Sequence, residues 1–242
     1  MRAVWIVFRR ETGQYFATPL YYLLMAGFLL LTALVFNNDL VISISFRPAS
    51  PAVVPAFLSF TLVFLAPLLT MRLLAEESRE GTLELLLTAP VRDADIVLGK
   101  FLGAWFFYTL LLALTAVYLA ILVAISQPDL GHAASAYIGI WLYGGAALAV
   151  GLLFSALTEN QIVAAFLSTA ALLILYLGGL AGQIVANVEL ARLINMLTLQ
   201  GHFTTSFAYG LVRAEDAAFY AGLIVIALFM TIRAVESHRW RG

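Results

Sequence analysis

Six long apolar runs dominate this chain, and they leave it very few folds. They lie at about Pro19–Phe36, Ala52–Met71, Phe101–Ser126, Ser135–Leu157, Ile162–Ala181 and Ala217–Ile232. Each approaches or exceeds the ~18–20 residues that carry a helix across the hydrocarbon of a bilayer. A soluble domain is about half apolar and a quarter charged, whereas here 63% of the 242 residues are hydrophobic and 11% are charged. The expected fold class is therefore all-α: a polytopic membrane protein with six transmembrane helices in one domain covering 1–242. Within it the last run is short, with Arg233 placed to snorkel, and the fourth and fifth runs are joined by a tight helical hairpin at "TENQ". A net charge of −1 gives no field that would attract nucleic acid. The absence of cysteine excludes disulfides and thiolate metal sites.

Orientation follows from the basic residues. With six spans, both termini share a side with the 72–100 loop and the turn at 158–161. That side holds Arg2, Arg9, Arg10, Arg72, Arg79, Arg92, Lys100, Arg233, Arg239 and Arg241, against Arg47, Arg192 and Arg213 on the other. Ten against three predicts that both termini and the 72–100 loop are cytoplasmic. The opening "MRAVWIVFRRETGQYF" has too short an apolar core and no small-residue site for a signal peptide. Its Trp5, Phe8, Thr12, Tyr15 and Phe16 fall near one helical face, as in a helix of residues 1–18 lying in the membrane interface. "RPASPAVVP" reads as an extended approach to the second run, and Pro67 as a kink within it.

Charge returns in one place. "EESREGTLELLLTAP", Glu76 to Pro90, holds Glu76, Glu77, Glu80 and Glu84. The stretch is helix-competent, Pro90 is expected to stop it, and Asp93 to cap the next helix. Glu77, Glu80, Gly81, Glu84 and Thr88 would share one helical stripe, with Arg79, Leu83, Leu86 and Pro90 on another. Anionic lipid would repel such a helix, because membrane-surface helices are usually basic. Two readings stand on the residues alone: a plug for a groove in another protein, or a solvated loop helix with pairs such as Glu76 and Arg79 worth tenths of a kcal/mol.

"EESREGTLELLLTAPVRDADIVLGKF" resembles the segment between the second and third spans of ABC type-2 permeases. It is most similar to the gliding-motility and nitrous-oxide-accessory branch. The shared pattern falls on Glu76, Glu77, Gly81, Thr82, Glu84, Leu86, Leu87, Pro90, Val91, Gly99 and Lys100. "YFATPLYYLLMAGFLLLTALVF", "HFTTSFAYGLVRAEDAAFY" and "TIRAVESHRW" resemble the gliding-motility branch as well, so the likeness covers essentially the whole chain. The resemblance implies a permease subunit without enzymatic activity, in the cytoplasmic membrane of a prokaryote. It would pair with a separate ABC ATPase subunit, which binds the ATP and Mg, and with a second permease copy or paralogue. Residues 19–71 would supply spans 1–2, 72–100 a cytoplasmic coupling segment, 101–181 spans 3–5, and 217–242 span 6 with a cytoplasmic tail. Glu76, Glu77, Glu80, Gly81, Thr82, Leu83, Glu84, Leu86, Leu87 and Pro90 would form the coupling helix in a groove of the ATPase. The absence of GxxxxGK[ST] agrees with an ATPase held elsewhere: Phe101 stands where Ser or Thr would follow Gly99-Lys100.

The resemblance also implies an external re-entrant hairpin within 182–216, before the last span. It would plug the outer end of a central pathway, with His202, Phe203 and Phe207 as gate residues. The alternative for His202 is a structural hydrogen bond. Glu159, Asn160 and Gln161 read as cap and loop residues. Gly99 with Gly103, and Gly178 with Gly182, have the spacing that lets helices approach closely. The spans hold almost no ionisable side chain, whereas ion- and proton-coupled carriers keep such groups at the midplane. That favours export of a bulky, partly apolar cargo or transmission of force. An ATPase-independent scaffold subunit is the remaining class.

Overall fold

A computed structural model describes residues 2–45, 48–81, 92–184, 189 and 196–239. They are helical almost throughout: α1 Arg2–Ala17, α2 Pro19–Ser45, α3 Val53–Thr70, α4 Ala75–Arg79, α5 Asp93–Ile125, α6 Leu130–Ala156, α7 Gln161–Ile184, α8 Leu199–Thr205, a 3-10 turn Phe207–Tyr209, and α9 Ala214–Arg239. Six stretches are long and apolar enough to cross a membrane, and they fall on the six apolar runs. The chain is a multi-pass membrane protein.

Several helices outrun their hydropathy. α2 continues past Phe36 to Ser45, because Asn37, Asn38 and Asp39 lower the hydropathy without breaking a helix. Asp39 is buried and accepts a hydrogen bond from the Ser50 amide at 3.0 Å. α5 begins at Asp93, close to where the helix leading into the third run was expected, and continues unbroken through Phe101 for 33 residues. At 1.5 Å per residue it is about 50 Å long, so its ends stand outside a hydrocarbon layer of about 30 Å. Asp93 does not cap it. Arg92 takes the cap position, and Asp93 and Asp95 sit in the first turn, where carboxylates complement the exposed amides. α6 and α9 likewise start before Ser135 and Ala217. The proline-rich approach to the second run is shorter than expected, since α3 starts at Val53 and takes Pro55 into its first turn. There proline removes no needed hydrogen bond.

α1 and α2 follow α5 in the same direction, one after the other. Val7 lies opposite Gly99, Glu11 opposite Gly103, and Tyr15 stacks on Phe107 at 4.8 Å. Beyond Thr18, Phe36 meets the Tyr118 ring at 5.2 Å, and the Tyr118 hydroxyl donates to the Leu29 carbonyl at 2.8 Å. A Cβ on Gly99 would stand 2.6 Å from the Val7 Cβ. The Gly99–Gly103 pair is therefore spent on packing α1 inside this chain. Gly178 is filled in the same way by Thr198, whose Cγ2 would be 2.6 Å from an added Cβ.

α6 is the deeply buried helix around which the others pack. Its glycines are sockets: Gly139 receives Phe207, Gly144 receives Tyr108, Gly145 receives Trp105 and Gly151 receives Thr70. The Tyr108 hydroxyl donates to the Ile140 carbonyl at 2.8 Å, so the phenol is seated at both ends. Without a hydrophobic drive between helices in lipid, such close contact and internal hydrogen bonding must hold the bundle.

Candidate functional site at the charged end

α3 leaves the bundle through a turn, 71–74, that α6 fastens. The Ser155 hydroxyl accepts from the amides of Leu74 and Ala75, both at 3.1 Å, and donates to the Met71 carbonyl at 3.1 Å. Those amides open α4, so α6 supplies the cap that α4 lacks locally. α4 is only five residues long. α4 ends at Arg79, because Gly81 takes φ +70°, the left-handed turn that ends many helices, so the expected helix is interrupted there. Thr82, Leu83, Glu84, Leu86, Leu87 and Pro90 lie outside the described residues.

The acids of this segment diverge. Glu76 is half-buried and pairs with Arg72 at 3.2 Å, not with Arg79. Glu80 and Gly81 are exposed. Glu77 turns inward. Its Oε2 lies 2.9 Å from the Lys100 ammonium, which also donates to Glu11 Oε1 at 2.9 Å. Arg10 closes the cluster by donating to Glu77 Oε1 at 2.8 Å. Lys100 and Glu11 are 1% and 2% exposed. One ammonium thus joins α1, α4 and α5, with a polar cavity of about 400 Å³ beside it that Gln14 and Glu80 also line. Next to it the Tyr15 hydroxyl donates to the Leu69 carbonyl at 2.8 Å, and burial pushes the phenol well above its ordinary range, so it stays a donor.

Glu11 and Arg10 were not legible as site residues. One sequence signal pointed at their partner: Lys100 is the only lysine in the chain and stands at the foot of a span. An ammonium is a compact point charge with three donors on a flexible stem, and so can answer two carboxylates at once.

Residues 11–234, nearly the whole chain, match the family described as ABC-2 family transporter protein. The chain belongs to the ABC-2 transporter family. No curated protein matches it. It is therefore an ABC-2 transporter membrane component, and the ion cluster ties the loop between its second and third spans, through Glu77, to α1 and α5.

At the opposite end of this ABC-2 protein lie the three residues expected as a gate. Phe203 and Phe207 are fully buried, Phe207 over Gly139 and Phe203 edge-on to Tyr143 at 6.4 Å. His202 is stacked on Phe219 at 3.9 Å and bonded through both ring nitrogens: Nδ1 to Asp216 Oδ1 at 2.6 Å, Nε2 to the Met196 carbonyl at 3.0 Å. A carbonyl only accepts, so Nε2 is the donor in the contact with Met196. His202 thereby pins α8 to the start of α9. His202→Phe keeps a ring on Phe219 but leaves the buried Asp216 without this partner. A loss of about 1–3 kcal/mol is expected, read as a lower thermal midpoint of the purified protein, and Asp216→Asn in the same chain should recover part of it. Elsewhere, the Asn160 carboxamide oxygen caps α7 by accepting from Ile162 and Val163.

Proposed function

We propose that this chain is the permease subunit of an ATP-binding-cassette transporter, of the gliding-motility-like branch. A separate ATPase subunit binds ATP and Mg and hydrolyses the nucleotide. This subunit turns the stroke into export or into force across the membrane. The observation that carries the reading is the Glu11–Lys100–Glu77–Arg10 cluster. It ties α4, which precedes the segment after Gly81 in the chain, to α1 and α5, so a grip on Glu84, Leu86 and Leu87 would be felt by α1 and α5 together. Glu80, exposed beside Gly81, is free to face a basic groove. The excess of arginine at this end supports its placement in the cytoplasm of a prokaryote, with both termini.

A second copy or paralogue completes the assembly in this reading. Phe60, Phe64, Leu23, Leu31, Phe166 and Ile174, on spans 1, 2 and 5, remain exposed. An apolar cleft of about 450 Å³ opens between α2 and α3. At the far end, α8 and the 3-10 turn would close the pathway from outside.

Glu84→Lys opposes like charges in the ATPase groove, and Leu86→Ala removes buried contact. Truncating a buried, charged interface pair costs about 2–5 kcal/mol, so the charge reversal should lower ATPase-subunit affinity at least about thirtyfold. Glu215→Lys, exposed at the far end, should change nothing. The measurement is co-purification of the ATPase subunit at fixed salt, together with ATP turnover of the complex. If the Glu84 and Leu86 variants retain both, the segment does not couple; if no ATPase subunit associates even with the parent chain, the scaffold reading replaces this one.

A further inference from the structure

A cleft of about 600 Å³ runs along the outer side of α1 and α5 as far as α6. Its walls are aromatic. Trp5 stacks on Phe8 at 5.2 Å, and Phe8 meets Phe106 edge-on at 5.6 Å. Trp105 and Trp141, stacked on each other at 4.5 Å, line it further in. Three of the chain's four tryptophans are thus gathered at one place. Trp5 is 63% and Phe106 45% exposed, so the cleft opens outward, toward lipid.

Among the described lining residues, only the side chains of Asp95 and Thr109 carry oxygen. The Thr109 hydroxyl is already used, accepting from Trp141 Nε1 at 2.9 Å and donating to the Trp105 carbonyl at 2.7 Å. Among the described residues, Asp95 is half-buried and makes no ion pair or side-chain hydrogen bond, and none of those lining the cleft is basic. It stands apart from the Glu11–Lys100–Glu77 cluster, and the amino end of α5 favours its charge. From Asp95 to Thr109 the cleft follows α5 for fourteen residues, about 21 Å. Its carboxylate is at the charged end, and the rest of its length is apolar.

Aromatic faces with a carboxylate, and no counter-charge among the described lining residues, select a cation, above all an ammonium whose methyl or methylene shell tolerates contact with rings. An anion is repelled by the same carboxylate. The apolar length selects a chain attached to that cation. We propose that this cleft binds one cationic amphiphile. Its amine or quaternary ammonium head lies against Asp95 and Trp5, and its hydrocarbon tail along Phe106 toward Trp141. The site is independent of ATPase docking and stands whether or not that reading holds.

The gathered tryptophans make the test direct. The purified full-length chain, in uncharged detergent, is titrated with an alkyltrimethylammonium brominated in its tail, and tryptophan emission is followed. Saturable quenching is expected, at a concentration about tenfold below that needed for the brominated alkyl sulfate of equal tail length, a difference of ~1.4 kcal/mol. Tetramethylammonium, which lacks a tail, should neither quench nor compete. Asp95→Asn should erase the preference for the cation while leaving the unquenched emission maximum in place, and Trp5→Ala should weaken the cation alone. Equal quenching by the two head groups, or an Asp95→Asn variant that keeps the preference, overturns the proposal. Absence of saturable quenching by either also overturns it, and assigns the cleft to a protein helix instead.

Discussion

Lys100→Met should lower the stability of the folded chain by about 3–5 kcal/mol, the range for breaking a buried ion pair from one side. The ammonium is 1% exposed and holds Glu11 and Glu77 at 2.9 Å each. With a thioether in its place, two buried carboxylates lose the ammonium they share, and Arg10 pairs with Glu77 rather than with Glu11. Lys100→Arg should also lose stability, since a planar fork cannot replace a point charge in a space shaped for one. Glu11→Gln on top of Lys100→Met should recover part of the loss, because it removes one of the stranded charges. The midpoint of unfolding in detergent measures each step. A second readout separates loosening from unfolding. Lys100 is the only lysine, so amine acylation at that position reports whether the cluster is closed. The parent chain should resist the reagent, and Glu77→Gln should admit it while the bundle remains folded. A parent chain acylated at Lys100 as fast as a free amine would show that the cluster does not hold.

How much of this was legible in the sequence differs from element to element. The six membrane helices were, because an apolar run of twenty residues has one physical use. Their ends were not. Asn37 to Asp39 are polar without being helix breakers, so α2 extends through them; the helix start near Asp93 was expected, but not that it is continuous with the third span. The charged stretch after span 2 was seen as special, but the break in its helix at Gly81 was not. Gly81 was counted into a stripe when its φ +70° ends α4. Nor could periodicity tell that Glu77 turns in while Glu76 and Glu80 stay outward. That depends on α1 passing alongside, and α1 reaches α5 only because Gly99 and Gly103 leave room for Val7 and Glu11. The glycine spacing was visible; its partner, a helix nearly a hundred residues earlier, was not. At the far end His202 was noticed, but the carboxylate that pairs with it, Asp216, was read as the edge of a loop.

Gly144→Val should be the most damaging single substitution in the apolar core, and the reason lies with one ring. Gly144 is buried in the middle of α6, and an added Cβ would land inside the Tyr108 phenol. The ring cannot swing aside freely, because its hydroxyl is bonded to the Ile140 carbonyl one turn away. Overpacking of this kind usually costs about 1–3 kcal/mol. Here the upper end or more is expected, since relief means either breaking that buried hydrogen bond or parting α5 from α6. Tyr108→Phe should not rescue the variant, as the clashing edge of the ring remains. Tyr108→Ala should rescue the clash while leaving a cavity. Gly27 and Gly222 sit in equally long apolar helices but meet nothing within 4 Å of an added Cβ. Alanine there should be neutral or gain up to about 1 kcal/mol through helix propensity. The comparison is the unfolding midpoint and the yield of folded protein for Gly27→Ala, Gly222→Ala, Gly144→Ala and Gly144→Val. If Gly144→Val matches Gly27→Ala in both, α5 and α6 do not pack through the Tyr108 socket.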